Sequence, residues 1–300
     1  MKPALVVHGG AGSGKYRASD ARFKVLTEAV SIGYAAMSSG GAVEGVEAAV
    51  KHMESSGLLN AGKGACLNAL GKLSLDAAVM EGKVGKGCGV GAVDCTYHPV
   101  SLAKWLAFNS PHVLIVGPEC ARYADSADME REELVPTKAA LAKFRKLERS
   151  KVGISGRIGK AWRPIQEGNT VGAVAVDGDG FTSAAVSTGG VWLKFPGRVG
   201  DSAIIGAGIF ADRNGAACAT GVGEEIIKCG MSGKACDLMA VSDAQTAAAK
   251  AVSIITKRSG KDTAGIITVD SKGRVGIARN TKAMGWALKS GPKDRVRIGI

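Results

Sequence analysis

The chain has 300 residues, 46% of them hydrophobic, which is enough to bury a substantial core. Forty-three glycines and few aromatics suit a layered protein with many tight turns and close backbone approaches, and exclude a fibrous or disordered chain. No run of about 18 apolar residues is present to cross a membrane as a helix, and the apolar stretch Ala4–Val7 is too short for a secretory h-region, so a cytoplasmic location is expected.

The formal net charge of +12 is local rather than global. Between Lys138 and Arg163 nine basic residues face Glu148 alone, a net +8, and the other 274 residues are close to balanced. One basic tract reads as a solvated connector and not as a nucleic-acid footprint. The seven cysteines (Cys66, Cys88, Cys95, Cys120, Cys218, Cys229, Cys236) form no C-x-x-C pair and read as buried free thiols.

In chain order, Ala4–Val7 is a short buried strand. Residues 21–37 form a helix, and Val43, Val46, Val50 and Met53 recur at spacings of three and four that mark a second helix. Lys72–Asp76 alternates polar and apolar residues as a half-buried strand does. Gly82–Gly91 reads as a glycine-dense turn region, with strands at Ala92-Val93 and Val113–Val116 and a helix from Pro99 through Trp105. Residues 138–169 lose any sustained period and read as a basic, flexible connector, its first part (Lys138–Glu148) ending a helix.

From Thr170 the pattern sharpens. Val171–Val176 is a strand, Asp177-Gly178-Asp179-Gly180 a turn and Phe181–Val186 the return strand. The same hairpin recurs as Gly265–Val269, Asp270–Gly273 and Arg274–Ala278, with helices from Glu224 onward and over Ala244–Thr256 in between. Hairpins with segregated helices indicate an α+β architecture.

Several motifs carry less chemistry than they suggest. Gly9–Lys15 has the G-x-x-x-x-G-K form of a phosphate loop, but Tyr16 stands where the magnesium-binding hydroxyl belongs. Asp177–Gly180 starts like a calcium loop without its later acidic ligands. The four histidines (His8, His52, His98, His112) share no i, i+4 pair, so no metal centre is expected, and no G-x-S-x-G elbow supports a serine triad.

Within 57 residues lie Gly168–Val174, Ser187-Thr188-Gly189-Gly190, Pro196–Asp201 and Ala219–Glu224. In order and spacing these resemble the plant-type (isoaspartyl-peptidase) asparaginases, a family of N-terminal-nucleophile (Ntn) hydrolases. His8–Gly12, Leu59–Gly64, Leu75–Met80 and Asn280-Thr281-Lys282 resemble further family segments, so the likeness covers nearly the whole chain except 120–167. It implies a four-layer α-β-β-α Ntn-hydrolase sandwich, cut by self-cleavage between Asn169 and Thr170 into residues 1–169 and 170–300 that together form one domain. A dimer of such heterodimers is implied, with no nucleic-acid or membrane partner.

The resemblance also assigns roles. Thr170 is the nucleophile, and its freed α-amine, with a pKa near about 7.7–8.0, is the base; this agrees with a C-terminal half that contains no histidine. Thr188 orients the nucleophile, while Thr220 and Gly221 form the oxyanion hole. Arg198 takes the substrate α-carboxylate through its planar fork, with Asp201 and the Gly223 carbonyl on the α-ammonium. Asn60 supports the site in a loop that encloses a sodium ion in relatives, so residues 58–68 are the place for a structural sodium; no other cofactor is implied. The substrate is L-asparagine or a β-aspartyl dipeptide. Trp192, Leu193 and Phe195 make the segment before Pro196 more apolar than in many relatives and are expected to reshape the pocket rim. The competing readings are a phosphotransferase built on Gly9–Lys15 and a basic nucleic-acid-binding protein.

Overall fold

A computed structural model describes residues 2–12, 21–149 and 170–300. Two sheets dominate it. The larger has eight strands in the order β12-β11-β1-β5-β6-β2-β3-β4, built from β1 (Ala4–Gly12), β2 (Leu75–Glu81), β3 (Gly87–Val93), β4 (Leu114–Val116), β5 (Val171–Val176), β6 (Thr182–Thr188), β11 (Ala283–Ser290) and β12 (Arg297–Gly299). The smaller has the order β10-β9-β8-β7, from β7 (Ile209–Ala211), β8 (Gly215–Gly221), β9 (Ala264–Asp270) and β10 (Val275–Arg279). Pairing is antiparallel except between β3 and β4.

The core divides into three. Helices α1 (Ala21–Gly40), α2 (Ala42–Ser55) and α3 (Pro99–Asn109) bury Leu26, Val30, Val46, Val50 and Leu102 against Leu5, Val7, Ala173 and Val79 of the large sheet. Side chains alternate along a strand, so Val6, Val174 and Val186 face the other way and meet Ile209, Cys218 and Ile267 of the small sheet. Helices α6 (Gly223–Cys229), α7 (Met231–Met239) and α8 (Ala244–Ser259) cover Ala217, Ala219 and Ile266 on the far side of the small sheet. The central strands are thus buried on both faces, and β5 and β6 consist almost entirely of Val, Ala, Gly, Ser and Thr.

The two expected hairpins form, and their turns use one device. Asp177 Oδ1 accepts the N–H groups of Asp179 (3.1 Å) and Phe181 (3.0 Å), and Asp270 Oδ1 accepts those of Lys272 and Arg274, both at 3.0 Å. An Asp that bonds its own turn backbone explains the D-x-D-G and D-x-K-G sequences without any calcium ligand. All seven cysteines are buried and none is in a disulfide.

Three expectations change. The basic connector does not begin at Lys138: residues Lys138–Arg149 form a helix (α5) whose Ala140 is buried, with Leu141, Phe144 and Leu147 packed on the helical side of the large sheet. Only one face of that stretch is basic. The connector residues 150–169 lie outside the described residues. The strand expected at Lys72–Asp76 begins only at Leu75 and runs to Glu81, because Lys72 and Asn68 close a turn of their own.

Gly87–Gly91, read as a turn, is strand β3. Its glycines serve proximity: a Cβ on Gly89 would stand 1.9 Å from the Ala203 carbonyl oxygen. Gly89→Ala is therefore expected to cost at least about 3 kcal/mol, the upper end for overpacking, in denaturant unfolding; a loss below about 1 kcal/mol would show that the segment 201–203 yields easily.

Candidate active site

The register of β5 and β6 pairs Val171 with Ser187, so Thr170 and Thr188 stand opposite each other one step further along. Their hydroxyl oxygens are 3.1 Å apart in a shared hydrogen bond, and Thr188 Oγ1 also accepts the Gly190 N–H at 2.9 Å. Thr170 is 8% exposed and opens into a cleft lined by Ala11, Thr188, Gly190, Arg198, Asp201 and Gly221–Glu224, among others.

The opposite wall comes from β8. Thr220 is fully buried, and its Oγ1 accepts the Ala11 N–H at 3.2 Å, which leaves the hydroxyl hydrogen available to another acceptor. Gly221 follows at the cleft surface. Thr281 and Thr263 complete that wall, braced by Asn280, whose Oδ1 accepts the N–H groups of Thr263 (2.9 Å) and Ala264 (2.8 Å).

Arg198 and Asp201, on the segment after β6, also line the cleft. Glu224 Oε1 accepts from both Arg198 Nε (3.0 Å) and Nη2 (2.9 Å). Asp201 is buried and its Oδ2 has no hydrogen-bond partner among the described residues. Burial pushes its carboxyl up to about 7; Arg198 opposes that shift, and Glu224 adds to it. Gly223 touches both groups, since a Cβ there would sit 2.7 Å from Arg198 Nη2 and 2.7 Å from Asp201 Oδ1.

Eight of the nine residues singled out in the sequence are therefore in or beside one cleft: Thr170, Thr188, Thr220, Gly221, Arg198, Asp201, Gly223 and Asn60. Asn169 lies outside the described residues. Asn60 stands behind the cleft and not in its lining: its Nδ2 donates to the Gly190 carbonyl (2.7 Å), its Oδ1 accepts from Cys66 N–H (2.7 Å), and its own carbonyl accepts from Gly189 N–H (3.0 Å). It pins the 188–190 turn. Trp192 and Leu193 also depart from expectation. Both are buried in the core on the helical side of the large sheet and neither lines the cleft, which their neighbour Val191 does; Phe195 is exposed.

The glycine run at Gly9–Gly12 continues strand β1 to the cleft wall. A phosphate loop would have left the sheet there, so that reading loses its structural basis; Ser13–Lys15 lie outside the described residues.

Sequence reasoning missed His8, Asp76, Lys194 and Glu224. His8 is buried opposite Gly172, its Nδ1 accepts the Gly10 N–H at 3.2 Å, and burial lowers its pKa to about 3, so it is a neutral packing group next to the nucleophile strand. Asp76 fastens three segments: Oδ1 accepts from Ala92 N–H (2.9 Å), Oδ2 from Gly200 N–H (3.0 Å), and Lys194 Nζ stands 3.7 Å from Oδ2. Lys194 is 1% exposed and also donates to the Ser74 carbonyl at 2.7 Å. Burial pushes its ammonium below the usual range, while Asp76 pulls it back up. The loop carrying Arg198 and Asp201 is thus anchored by a buried ion pair. Asp76 sat inside a motif already quoted, but nothing in the sequence told its partner.

The whole chain, residues 1–298, matches the family model described as asparaginase. A plant-type L-asparaginase of Pyrobaculum calidifontis is 44% identical over 94% of this chain and 96% of its own length. A plant-type L-asparaginase of Thermococcus kodakarensis is 38% identical over 99% of both chains. An isoaspartyl peptidase/L-asparaginase of Xenopus laevis is 34% identical over 100% of this chain and 96% of its own.

Removing one member of the Asp76–Lys194 pair leaves an uncompensated buried charge, worth about 3–5 kcal/mol. Lys194→Met is expected to lose that much in chemical denaturation, and the Asp76→Asn/Lys194→Met double variant to recover part of it. A single variant as stable as the parent, or a double variant with additive losses, would contradict the anchoring role.

Proposed function

The chain belongs to the asparaginase family, and on that premise we propose that it hydrolyses the side-chain amide of L-asparagine, or the β-aspartyl bond of isoaspartyl dipeptides, with Thr170 as nucleophile after the Asn169–Thr170 bond has been cut. The observation that carries the reading is the 3.1 Å pair of Thr170 and Thr188 hydroxyls in a cleft that Arg198 and Asp201 also line.

The chemistry follows from the parts. Self-cleavage begins with attack of the Thr170 hydroxyl on the preceding carbonyl; the acyl group shifts from nitrogen to oxygen, and water releases it. The new α-amine, with a pKa of about 7.7–8.0, takes the proton from Thr170 Oγ1 as that oxygen attacks the substrate amide carbon. Thr188 Oγ1, fixed by the Gly190 N–H, holds the nucleophile in line. The Thr220 hydroxyl hydrogen and the Gly221 N–H face the developing oxyanion, each such donor being worth about 3 kcal/mol. The amine then passes its proton to the departing ammonia or amino group. Water cleaves the resulting ester by the same base and frees aspartate.

At the head group, the Arg198 fork takes the α-carboxylate, and Asp201 with the Gly223 carbonyl takes the α-ammonium. The order of helices, large sheet, small sheet and helices supports the four-layer Ntn-hydrolase sandwich. Carbonyl oxygens of Gly57 and Leu59 crowd Gly64, at 2.8 and 2.2 Å from where its Cβ would be. A loop offering oxygen donors without carboxylates suits a structural sodium ion. The assembly we propose is a dimer of processed heterodimers, and exposed Val113, Leu114 and Val116 at the β4 edge are consistent with a covered surface there. No helix of the described residues is long and apolar enough to cross a membrane.

Two kinetic outcomes test this reading. Gly223→Ala places a methyl group between Arg198 and Asp201, and is expected to raise KM for L-asparagine by at least tenfold with a folded protein. A KM unchanged by the methyl group would remove the head group from this part of the cleft. Because Asp201 titrates near 7 in the ligand-free site and must be ionised to receive an ammonium, kcat/KM should fall on the acid side from about pH 7 downward, reporting free-enzyme groups. A kcat/KM that stays flat to pH 5 would exclude both Asp201 and the α-amine as essential.

A further inference from the structure

The head-group assignment uses Arg198 and Asp201 but leaves Glu224 without a role, although it lines the same cleft. A guanidinium offers two hydrogen-bonding edges, one formed by Nε with Nη2 and one by Nη1 with Nη2. Glu224 takes the first with a single oxygen, Oε1, at 3.0 Å from Nε and 2.9 Å from Nη2. The second edge is bordered by bare glycines: a Cβ on Gly190 or Gly200 would lie 3.1 or 2.7 Å from Nη1. Glu224 therefore holds Arg198 with its other edge against glycine backbone, where the Lys194 Nζ also lies, 3.2 Å from a Cβ placed on Gly190.

The other oxygen of Glu224 matters as much. Oε2 is buried and has no partner among the described residues, and the same is true of Asp201 Oδ2. Two orphaned carboxylate oxygens in one cleft are costly, because a buried acceptor with no donor loses its hydration without return. An ammonium has three hydrogens and one positive charge, which is what two such oxygens lack. A ligand carrying a carboxylate but no ammonium would supply neither.

We propose that Glu224 is a specificity-determining residue: it sets the orientation of Arg198 through Oε1 and, with Asp201, receives the substrate α-ammonium through Oε2. This rests on the head-group reading above. It follows that the enzyme rejects deamino analogues because two carboxylate oxygens would stay unpaired, and such sites discriminate strongly.

The test compares two non-hydrolysed ligands that differ only in the ammonium, L-aspartate and succinate, by calorimetric titration of the purified protein, its processing state read by intact mass. Wild type should bind L-aspartate more tightly. Glu224→Gln keeps an oxygen for Arg198 but loses the charge, and is expected to shrink the succinate-to-aspartate ratio of dissociation constants at least fivefold. Glu224→Ala, which also releases Arg198, should weaken both ligands further. If Glu224 merely braces Arg198, Glu224→Gln will keep the wild-type ratio and only Glu224→Ala will be impaired; that result overturns the proposal. Arg198→Ala serves as the control for the premise. Normal binding of both ligands by that variant would overturn the head-group reading, and the proposal with it, whereas loss of both with an unchanged Glu224→Gln ratio overturns the role of Glu224 alone.

Discussion

Antiparallel pairing of β5 with β6, in the register that sets Val171 against Ser187, fixes the geometry on which the site depends. A one-residue slip would turn every side chain of β5 to the opposite face and carry Thr170 away from Thr188. The register is held from both sides. On one side β1 pairs residue by residue with β5, from Ala4 opposite Val176 to His8 opposite Gly172. On the other, β2 pairs with β6 from Asp76 opposite Thr188. Both faces of β5 are packed, one under the helices and the other against the small sheet, so neither register nor tilt has freedom to drift. Thr170, directly before such a strand and the nucleophile in the proposed reading, is placed by the whole core.

A second constraint is electrical. From the interior to the cleft the chain alternates charges: the Lys194 ammonium against Asp76, Arg198 against Glu224, and Asp201 with an unpaired oxygen. The inner pair is fully enclosed and fastens the loop; the outer groups are incomplete. In the proposed reading incompleteness is the functional part, since a zwitterionic amino-acid head group brings one carboxylate and one ammonium to a site that offers a guanidinium edge and lone carboxylate oxygens. Glycines at 190, 200 and 223 keep that space open, because a single methyl group at any of them would approach Arg198 within 3.1 Å or less. In the proposed reading the high glycine content noted at the outset is tied, at these positions, to recognition, and at Gly190 (φ 75°) also to a turn.

Much of this was legible in the sequence, for reasons that can be named. The hairpins over 171–188 and 264–279 declare themselves by short strand-forming runs on either side of turns that open with Asp and close with Gly, and α2 by valines three and four apart. The resemblance of the motifs to those of the plant-type asparaginases singles out Thr170, Thr188, Thr220, Arg198 and Asp201 in the sequence. What escaped has equally physical causes. Strand β8 reads Gly-Ala-Ala-Cys-Ala-Thr-Gly, buried almost throughout, so it shows no polar–apolar alternation. Gly87–Gly91 looks like a turn because its glycines answer to a neighbouring backbone far away in sequence. Lys138–Glu148 reads only as the end of a helix leading into the connector, because its charge outweighs the narrow apolar stripe of a full helix over Lys138–Arg149. Lys194 and Asp76 are 118 residues apart, and a lysine in an apolar segment gives no sign of the carboxylate that keeps it there. Asn60 was legible as part of the site but not as a support behind it.

The central claim is that Thr170 acts only as a new N-terminus. Intact-mass measurement of the purified protein tests it most directly. The account predicts two fragments, residues 1–169 and 170–300, and a single uncut chain when Thr170 is replaced by alanine. A wild-type protein that remains one chain of 300 residues and yet hydrolyses asparagine at full rate would contradict it.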